Sequence, residues 1–340
     1  MTAAVHMVVP AGVDDPARPS GGNTYDRRVR DGLLAAGREV HVHEVSGPND
    51  ALAEAVRQIP DGSLVLLDGL VATPAPDVLV PESRRLRLVA LVHMPFGQAE
   101  PHAEEGAVLR AVSTVVTTSA WARRVLLDLY ELPADSVHVA EPGAEAADLA
   151  PGTAAGAALL SVAAVIPGKG HDVLLDALAT MQSRRWRCLC VGTIERDPAF
   201  VASLRRQAVD AGMNGRMRFS GALPEEDLAR SYGAADLLVL PSRSETYGMV
   251  VTEALARGLP VIAAEVGGVP EAMGHGADGT RPGLLVPPED PAALGDALRA
   301  WLGDPRLRRQ LRQAARERRE SLAGWSETTA AVAGVLARAA

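Results

Sequence analysis

Pro241-Ser242-Arg243-Ser244-Glu245-Thr246-Tyr247-Gly248-Met249-Val250-Val251-Thr252-Glu253-Ala254-Leu255-Ala256 follows an apolar run, Asp236 to Leu240, and passes into a helical pattern closing at Gly258. A strand that feeds a glycine-bearing turn and then a helix is the repeating unit of a parallel α/β sheet. Glu245 precedes the helix and Glu253 lies inside it. With the helix counted from Tyr247, a rise of 1.5 Å per residue puts Glu253 ~9 Å from its start. That span suits a diphosphate held between two sugars. The Met249 and Val250 amides at the helix start meet phosphate, Glu253 accepts from ribose hydroxyls and Glu245 from a hexose, while Gly248 permits close approach. A solvated helix face is the plainer reading of a glutamate pair, and the apolar neighbours of Glu253 argue against it.

The same pattern occurs upstream. Pro167-Gly168-Lys169-Gly170 lies between the apolar run Leu159 to Ile166 and the helical run Asp172 to Leu178. Lys169 is the chain's only lysine, beside 33 arginines. A surviving ammonium in such a composition marks a place for a compact, mobile point charge, set where backbone N–H groups and a helix dipole converge.

Outward from these two segments, short apolar runs alternate with amphipathic ones. Strands are expected at Val5–Val9, Glu39–His43, Leu64–Leu67, Leu86–Val92, Thr114–Thr117 and Val137–Val139, with helices near 24–36, 50–58, 103–110 and 119–129. Glu145 to Ala158 reads as a linker. A second series follows, with strands near 159–164, 187–191, 216–219, 236–240, 260–264 and 283–286. The expected fold is α/β, with two doubly wound Rossmann-like domains (1–150 and 151–323) facing each other across a cleft.

Composition excludes several classes. The 340 residues carry a formal charge of −8, with 12 basic and 21 acidic side chains in residues 1–150 against 22 and 21 in the remainder. An acidic front half with 3% aromatics disfavours nucleic acid and anionic lipid as partners. Cys188 and Cys190, two apart on one strand, suit buried free thiols in a reducing compartment rather than a disulfide or zinc half-site. No apolar segment reaches the length of a membrane span, and a soluble, cytoplasmic chain is expected. No aspartate-x-aspartate motif stands at a strand end, so neither metal nor cofactor is expected.

The chain resembles the family-4 retaining glycosyltransferases of the GT-B fold. The resemblance rests on Ser20-Gly21-Gly22-Asn23 after the first strand, Val92-His93 after the fourth, Thr118-Ser119-Ala120-Trp121, the Lys169 turn, the Glu245/Glu253 segment and Gly267-Gly268-Val269-Pro270-Glu271. It implies that the second domain binds a nucleoside diphosphate sugar, with UDP or GDP, and the first mainly an acceptor; the acidic first half favours a small, neutral or cationic acceptor with a hydroxyl to receive the sugar. It also implies that Lys169 neutralises pyrophosphate, Glu253 holds ribose, Glu245 and His93 touch the transferred sugar, and Gly21 and Gly22 approach the leaving phosphate. Gly192 and Leu223 then lie where the base is selected, Asn23 and Trp121 border the acceptor, and residues 324–340 form a helix crossing back to the first domain. No protein base is assigned, because in the family the leaving phosphate is thought to deprotonate the acceptor. One departure stands out. The family's Gly-Arg pair before the turn lysine is here Ala163-Ala164, leaving half of the usual cationic clamp missing, with Arg243 as a candidate replacement. A nucleotide-sugar epimerase and a non-catalytic nucleotide-sugar-binding protein remain as alternatives.

Overall fold

A computed structural model describes residues 4–15, 20–46, 49–97 and 100–340. The chain divides into two compact units, Met1–Gly143 with Ala323–Ala340, and Ala144–Leu322. The first unit runs β1 (Val5–Pro10), α1 (Gly21–Ala35), β2 (Val40–Val45), α2 (Asn49–Arg57), β3 (Leu64–Asp68), α3 (Gly69–Ala72), α4 (Pro76–Glu82), β4 (Arg87–Val92), α5 (Ala103–Ala111), β5 (Thr114–Thr117), α6 (Ala120–Tyr130) and β6 (Val137–Val139). The second runs β7 (Ala158–Val162), a 3-10 turn (Pro167–Lys169), α7 (His171–Ala179), β8 (Arg187–Val191), α8 (Pro198–Asp210), β9 (Met217–Gly221), α9 (Glu225–Gly233), β10 (Leu237–Leu240), α10 (Met249–Leu255), β11 (Val261–Ala264), α11 (Val269–Met273), β12 (Gly283–Val286), α12 (Pro291–Gly303) and α13 (Pro305–Arg319). The last helix, α14 (Trp325–Ala339), belongs to the first unit.

Both sheets are parallel, in the orders β2-β1-β3-β4-β5-β6 and β12-β11-β10-β7-β8-β9. Strands covered by helices on both faces read as unbroken apolar runs, and every residue of β3, β10 and β11 is buried. Each such leucine contributes about 1.5–3 kcal/mol relative to exposure. Strand order reverses between β1 and β3 in one sheet and between β7 and β10 in the other. At such switch points the loops leaving adjacent strands diverge and open a crevice at the carboxyl edge. The α/β, doubly wound GT-B architecture expected from the sequence is the one observed.

Two local details differ from expectation. The helices α3 and α4 were not anticipated, because Pro74, Pro76 and Pro81 punctuate that stretch; Pro76 opens α4, where its missing N–H is harmless, and Asp68 caps α3. The stretch read as a linker is fastened to the second unit. Buried Asp236 accepts from the Ala158 amide at 2.9 Å and the Thr153 hydroxyl at 2.7 Å, and pairs with Arg312 at 2.8 Å. Within the first unit α14 packs on α1, and a Cβ on Gly32 would lie 2.2 Å from the Thr329 hydroxyl.

Candidate functional site

In the second unit the switch point brings together the loops that follow β7 and β10. Lys169 ends the 3-10 turn, and its Nζ lies 2.6 Å from Glu245 Oε1. The Ser242 hydroxyl donates to the same oxygen at 2.8 Å. The ammonium is 28% exposed and the carboxylate 13%, so the pair is reachable from solvent. Two glycines let these loops meet. Gly170 has a φ of +66°, and a Cβ there would lie 2.0 Å from the Pro241 carbonyl oxygen. Gly267, at φ +52°, leaves only 1.7 Å for a Cβ below the Glu245 carbonyl oxygen, to which Gly268 donates at 3.1 Å. The Gly267-Gly268 pair is therefore the platform that carries Glu245.

Arg243, the candidate replacement for the missing arginine, is paired with protein groups around the lysine turn. Its guanidinium forms a fork with Asp172 at 3.0 and 2.8 Å, reaches Glu289 at 2.8 Å and donates to the Pro167 carbonyl. Its amide donates to the Gly168 carbonyl at 2.9 Å. It is a clasp across the lysine turn, and the Asp172 carboxyl, which burial alone would push up, is held below its usual range by this fork.

The helix bearing Glu253 is shorter than expected. It begins at Met249, because Gly248 sits at φ +93° and Tyr247 is buried, and it ends at Leu255 rather than Gly258. Glu253 thus stands about 6 Å along the axis from the first helical residue, not 9 Å. Its Oε2 accepts from the Tyr232 hydroxyl at 2.7 Å. Burial raises the carboxyl, while the Tyr232 bond and the Arg257 charge oppose that rise. Gly192 follows β8 with a φ of +149°, against the Ala163 carbonyl, where a Cβ would be 1.9 Å away. Leu223 lines a hollow of about 650 Å³ that extends along the sheet face past Arg187, Arg218, Asp227 and Arg230.

In the first unit Gly21 and Gly22 lie in the first turn of α1 rather than in a loop, behind the N-cap Ser20, whose Oγ accepts from the Asn23 amide at 3.0 Å. A Cβ on Gly22 would sit 3.3 Å from His93 Cδ2, so the glycine leaves room for the imidazole. Asn23 is the third residue of α1, and Trp121 the second of α6, behind the Ser119 cap; both are partly exposed. His93 follows β4. Its Nε2 lies 2.9 Å from Asp26 Oδ1 and 3.5 Å from Asp68 Oδ2. Burial lowers its proton affinity, but the two carboxylates outweigh that and raise its pKa to about 9; burial lifts Asp68 to about 7.

Among the described residues, these three form a group whose ligand atoms lie within 4.8 Å of one another, a donor set of the kind that takes a divalent cation. The 2.9 Å approach of Nε2 to Oδ1 is that of an N–H···O hydrogen bond. Sequence reasoning found His93 but not Asp26 or Asp68. Asp68 left a readable signal, a carboxylate closing an apolar strand before a glycine; Asp26, inside a charged helical run, left none. Tyr232 and Asp172 were also missed, because each acts through a partner distant in sequence, Glu253 and Arg243.

A profile of the family described as glycosyl transferases group 1 matches residues 155–318, within the second unit. The D-inositol 3-phosphate glycosyltransferase 1 of Catenulispora acidiphila is 32% identical over 314 residues, covering 85% of this chain and 69% of that protein. The chain belongs to this glycosyltransferase family. D-inositol 3-phosphate glycosyltransferases of Jonesia denitrificans and Frankia alni are 32% and 34% identical over 72% and 67% of this chain, which spans 62% and 59% of their lengths. Among solved structures, HepE of Anabaena in complex with UDP-glucose superposes with a TM-score of 0.79 at 18% identity, covering 99% of this chain and 100% of that one. Sucrose-phosphate synthase of Thermosynechococcus elongatus gives 0.76 at 22%, covering 99% of each chain. At these identities the two structures establish the shared fold. The family expected from the sequence is the one found. Among the described residues no helix is long and apolar enough to cross a membrane.

Proposed function

We propose that this chain is a retaining glycosyltransferase that moves a hexosyl group from a nucleoside diphosphate sugar, UDP- or GDP-linked, to a hydroxyl of a small acceptor, without a metal. The observation that carries this reading is the Lys169–Glu245 pair at the switch point of the second unit, 2.6 Å apart and reachable from solvent. Negative charge grows on the diphosphate as its bond to the sugar breaks, and a positioned ammonium lowers that barrier. Glu245 accepts from the hexose hydroxyls, Glu253, oriented by Tyr232, from the ribose, and the Met249 and Val250 amides donate to phosphate. Gly192 and Leu223 border the base, Gly21, Gly22 and His93 serve the donor from the first unit, and Asn23 and Trp121 the acceptor.

The relatives' names put an inositol phosphate on the acceptor panel, beside neutral and cationic hydroxyl compounds that the acidic first half favours. The test is thermal stabilisation by a panel of nucleotide sugars, where a ligand at a hundredfold its dissociation constant adds ~2.7 kcal/mol, followed by donor consumption with and without acceptor. Acceptor-dependent transfer with retained anomeric configuration supports the proposal. Acceptor-independent conversion of the donor sugar identifies an epimerase, and binding with neither reaction a nucleotide-sugar-binding protein; either overturns it.

A further inference from the structure

Pro10 ends β1, Val45 ends β2, and Leu70 and Val71 lie in α3 directly after β3. With Asn49, Leu52 and Pro74 they line a pocket of about 210 Å³, and none of these residues is charged. It opens at the carboxyl edge of the first sheet beside the β1/β3 reversal, where doubly wound sheets take their ligands. Leu70 is 50% exposed there. Its amide donates to Asp68 Oδ1 at 2.5 Å, and the other Asp68 oxygen is 3.5 Å from His93 Nε2, so the pocket wall is joined to the histidine.

A second apolar surface follows His93 in the chain. Met94 and Phe96 are exposed large apolar residues. The backbone that presents Phe96 is anchored from below. Buried Glu105 accepts from the Phe96 amide at 3.0 Å, the Gly97 amide at 3.0 Å and the Tyr130 hydroxyl at 2.5 Å. A Cβ on Gly97 would lie 2.6 Å from that hydroxyl. Apolar side chains thus flank His93 through both β3 and β4. An anionic group entering the pocket would lose water and meet no opposite charge among its lining residues. Nor do the helix starts invite one: the Leu70 amide is taken by Asp68, and the first turn of α2 carries Asp50.

We infer that the acceptor carries a neutral apolar group, held in this pocket while its reacting hydroxyl is turned toward His93. An apolar cavity of ~150 Å³ holds a benzene ring, so the space suits a ring or chain of about six carbons. An inositol phosphate, the compound in the relatives' names, has no such group and carries charge. The word acceptor here rests on the glycosyltransferase reading; the pocket's selectivity does not.

The experiment measures dissociation constants of n-alkyl β-glucosides, methyl to hexyl, and of phenyl β-glucoside on the full chain by ligand-observed NMR, with inositol 3-phosphate as the charged comparison. Affinity is expected to rise along the series by up to about fourfold per added methylene. Phenyl glucoside is expected to bind more tightly than methyl, and its rank against hexyl tells a ring from a chain. Leu70→Asp is expected to flatten the series with the circular dichroism spectrum and melting temperature unchanged, and Leu70→Ala, which adds no charge, to reduce its slope. A flat series in the wild type, a series that ignores both variants, or inositol 3-phosphate binding more tightly than hexyl glucoside overturns the inference. In the transfer assay the acceptor KM is expected to fall in step with the dissociation constants; a KM that ignores chain length overturns the acceptor assignment. The expected binding series with no transfer from any nucleotide sugar sinks the glycosyltransferase reading and leaves the apolar pocket standing.

Discussion

Lys169 and Glu245 in the second unit are 28% and 13% exposed, whereas His93, Asp26 and Asp68 in the first are 12%, 1% and 1%. Both groups stand at the carboxyl edge of a doubly wound sheet beside its switch point. In the second unit the ammonium is the more exposed partner, while its carboxylate is covered about as far as His93. The first unit buries its charges, so they constrain one another and are not free to leave. The contrast extends to a second histidine. His171, at the start of α7 below the lysine turn, is 0% exposed, has no hydrogen-bond partner on either ring nitrogen and is pushed down by burial to about 4. One residue type is held charged in one unit and neutral in the other by what surrounds it.

The strongest break in this comparison is Lys169→Ala. It removes the solvated cation and is expected to lower kcat about 10²–10³-fold with the circular dichroism spectrum and melting temperature unchanged; wild-type turnover would remove Lys169 from the mechanism. Gly267→Ala attacks the platform below Glu245, where strain at a positive φ costs about 1–3 kcal/mol and a Cβ meets a carbonyl oxygen. A lowered urea midpoint together with weakened donor binding checks it.

Smaller, and informative through its direction, is the pH response. His93 and Asp68 have folded pKa values above their unfolded ones of 6.5 and 3.8. Their contribution is fully present below those unfolded values and is lost as pH rises through about 7 for Asp68 and about 9 for His93. His171 is depressed, so its contribution is present above 6.5 and is lost as pH falls toward about 4. Urea midpoints followed separately through Trp325 and Trp301, in single-tryptophan variants, are expected to fall on opposite sides of neutrality for the two units. Parallel pH profiles would contradict the contrast. The smallest effect is expected of His171→Leu, which removes two orphaned nitrogens from an apolar setting and stabilises by about 1 kcal/mol; no rise in the urea midpoint would mean that the nitrogens are satisfied.

Much of this organisation was legible in residue order. The parallel strands announced themselves because strands buried on both faces are continuous apolar runs, and Thr114–Thr117, Val137–Val139 and Gly283–Val286 fall where expected. The Lys169 and Glu245 segments were readable for a related reason: each is a polar, glycine-bearing turn directly after such a run. Their contact was not, because it depends on β7 lying beside β10, a neighbour relation set by the reversal of strand order rather than by either segment. The start of α10 was misplaced by two residues, since Gly248 at a positive φ delays the helix in a way that composition does not reveal. The bonds of Arg243, the candidate replacement for the missing arginine, to Asp172, Glu289 and the turn backbone could not be read from its own segment, since its partners lie far off in sequence. Asp26 was invisible because a carboxylate in the run Asp26-Arg27-Arg28-Val29-Arg30-Asp31 looks like any surface helix until the fold buries it.

The clasped turn also makes the protein a reporter of its own local motion. An endoprotease specific for lysine finds one bond to cut in the whole chain, the one joining Lys169 to Gly170. A protease needs an extended segment, and this one is a 3-10 turn tied to Arg243 and seated on the Pro241 carbonyl. At protease concentrations high enough for cleavage to outpace reclosing, its rate times the openings, local or larger, that free this one turn.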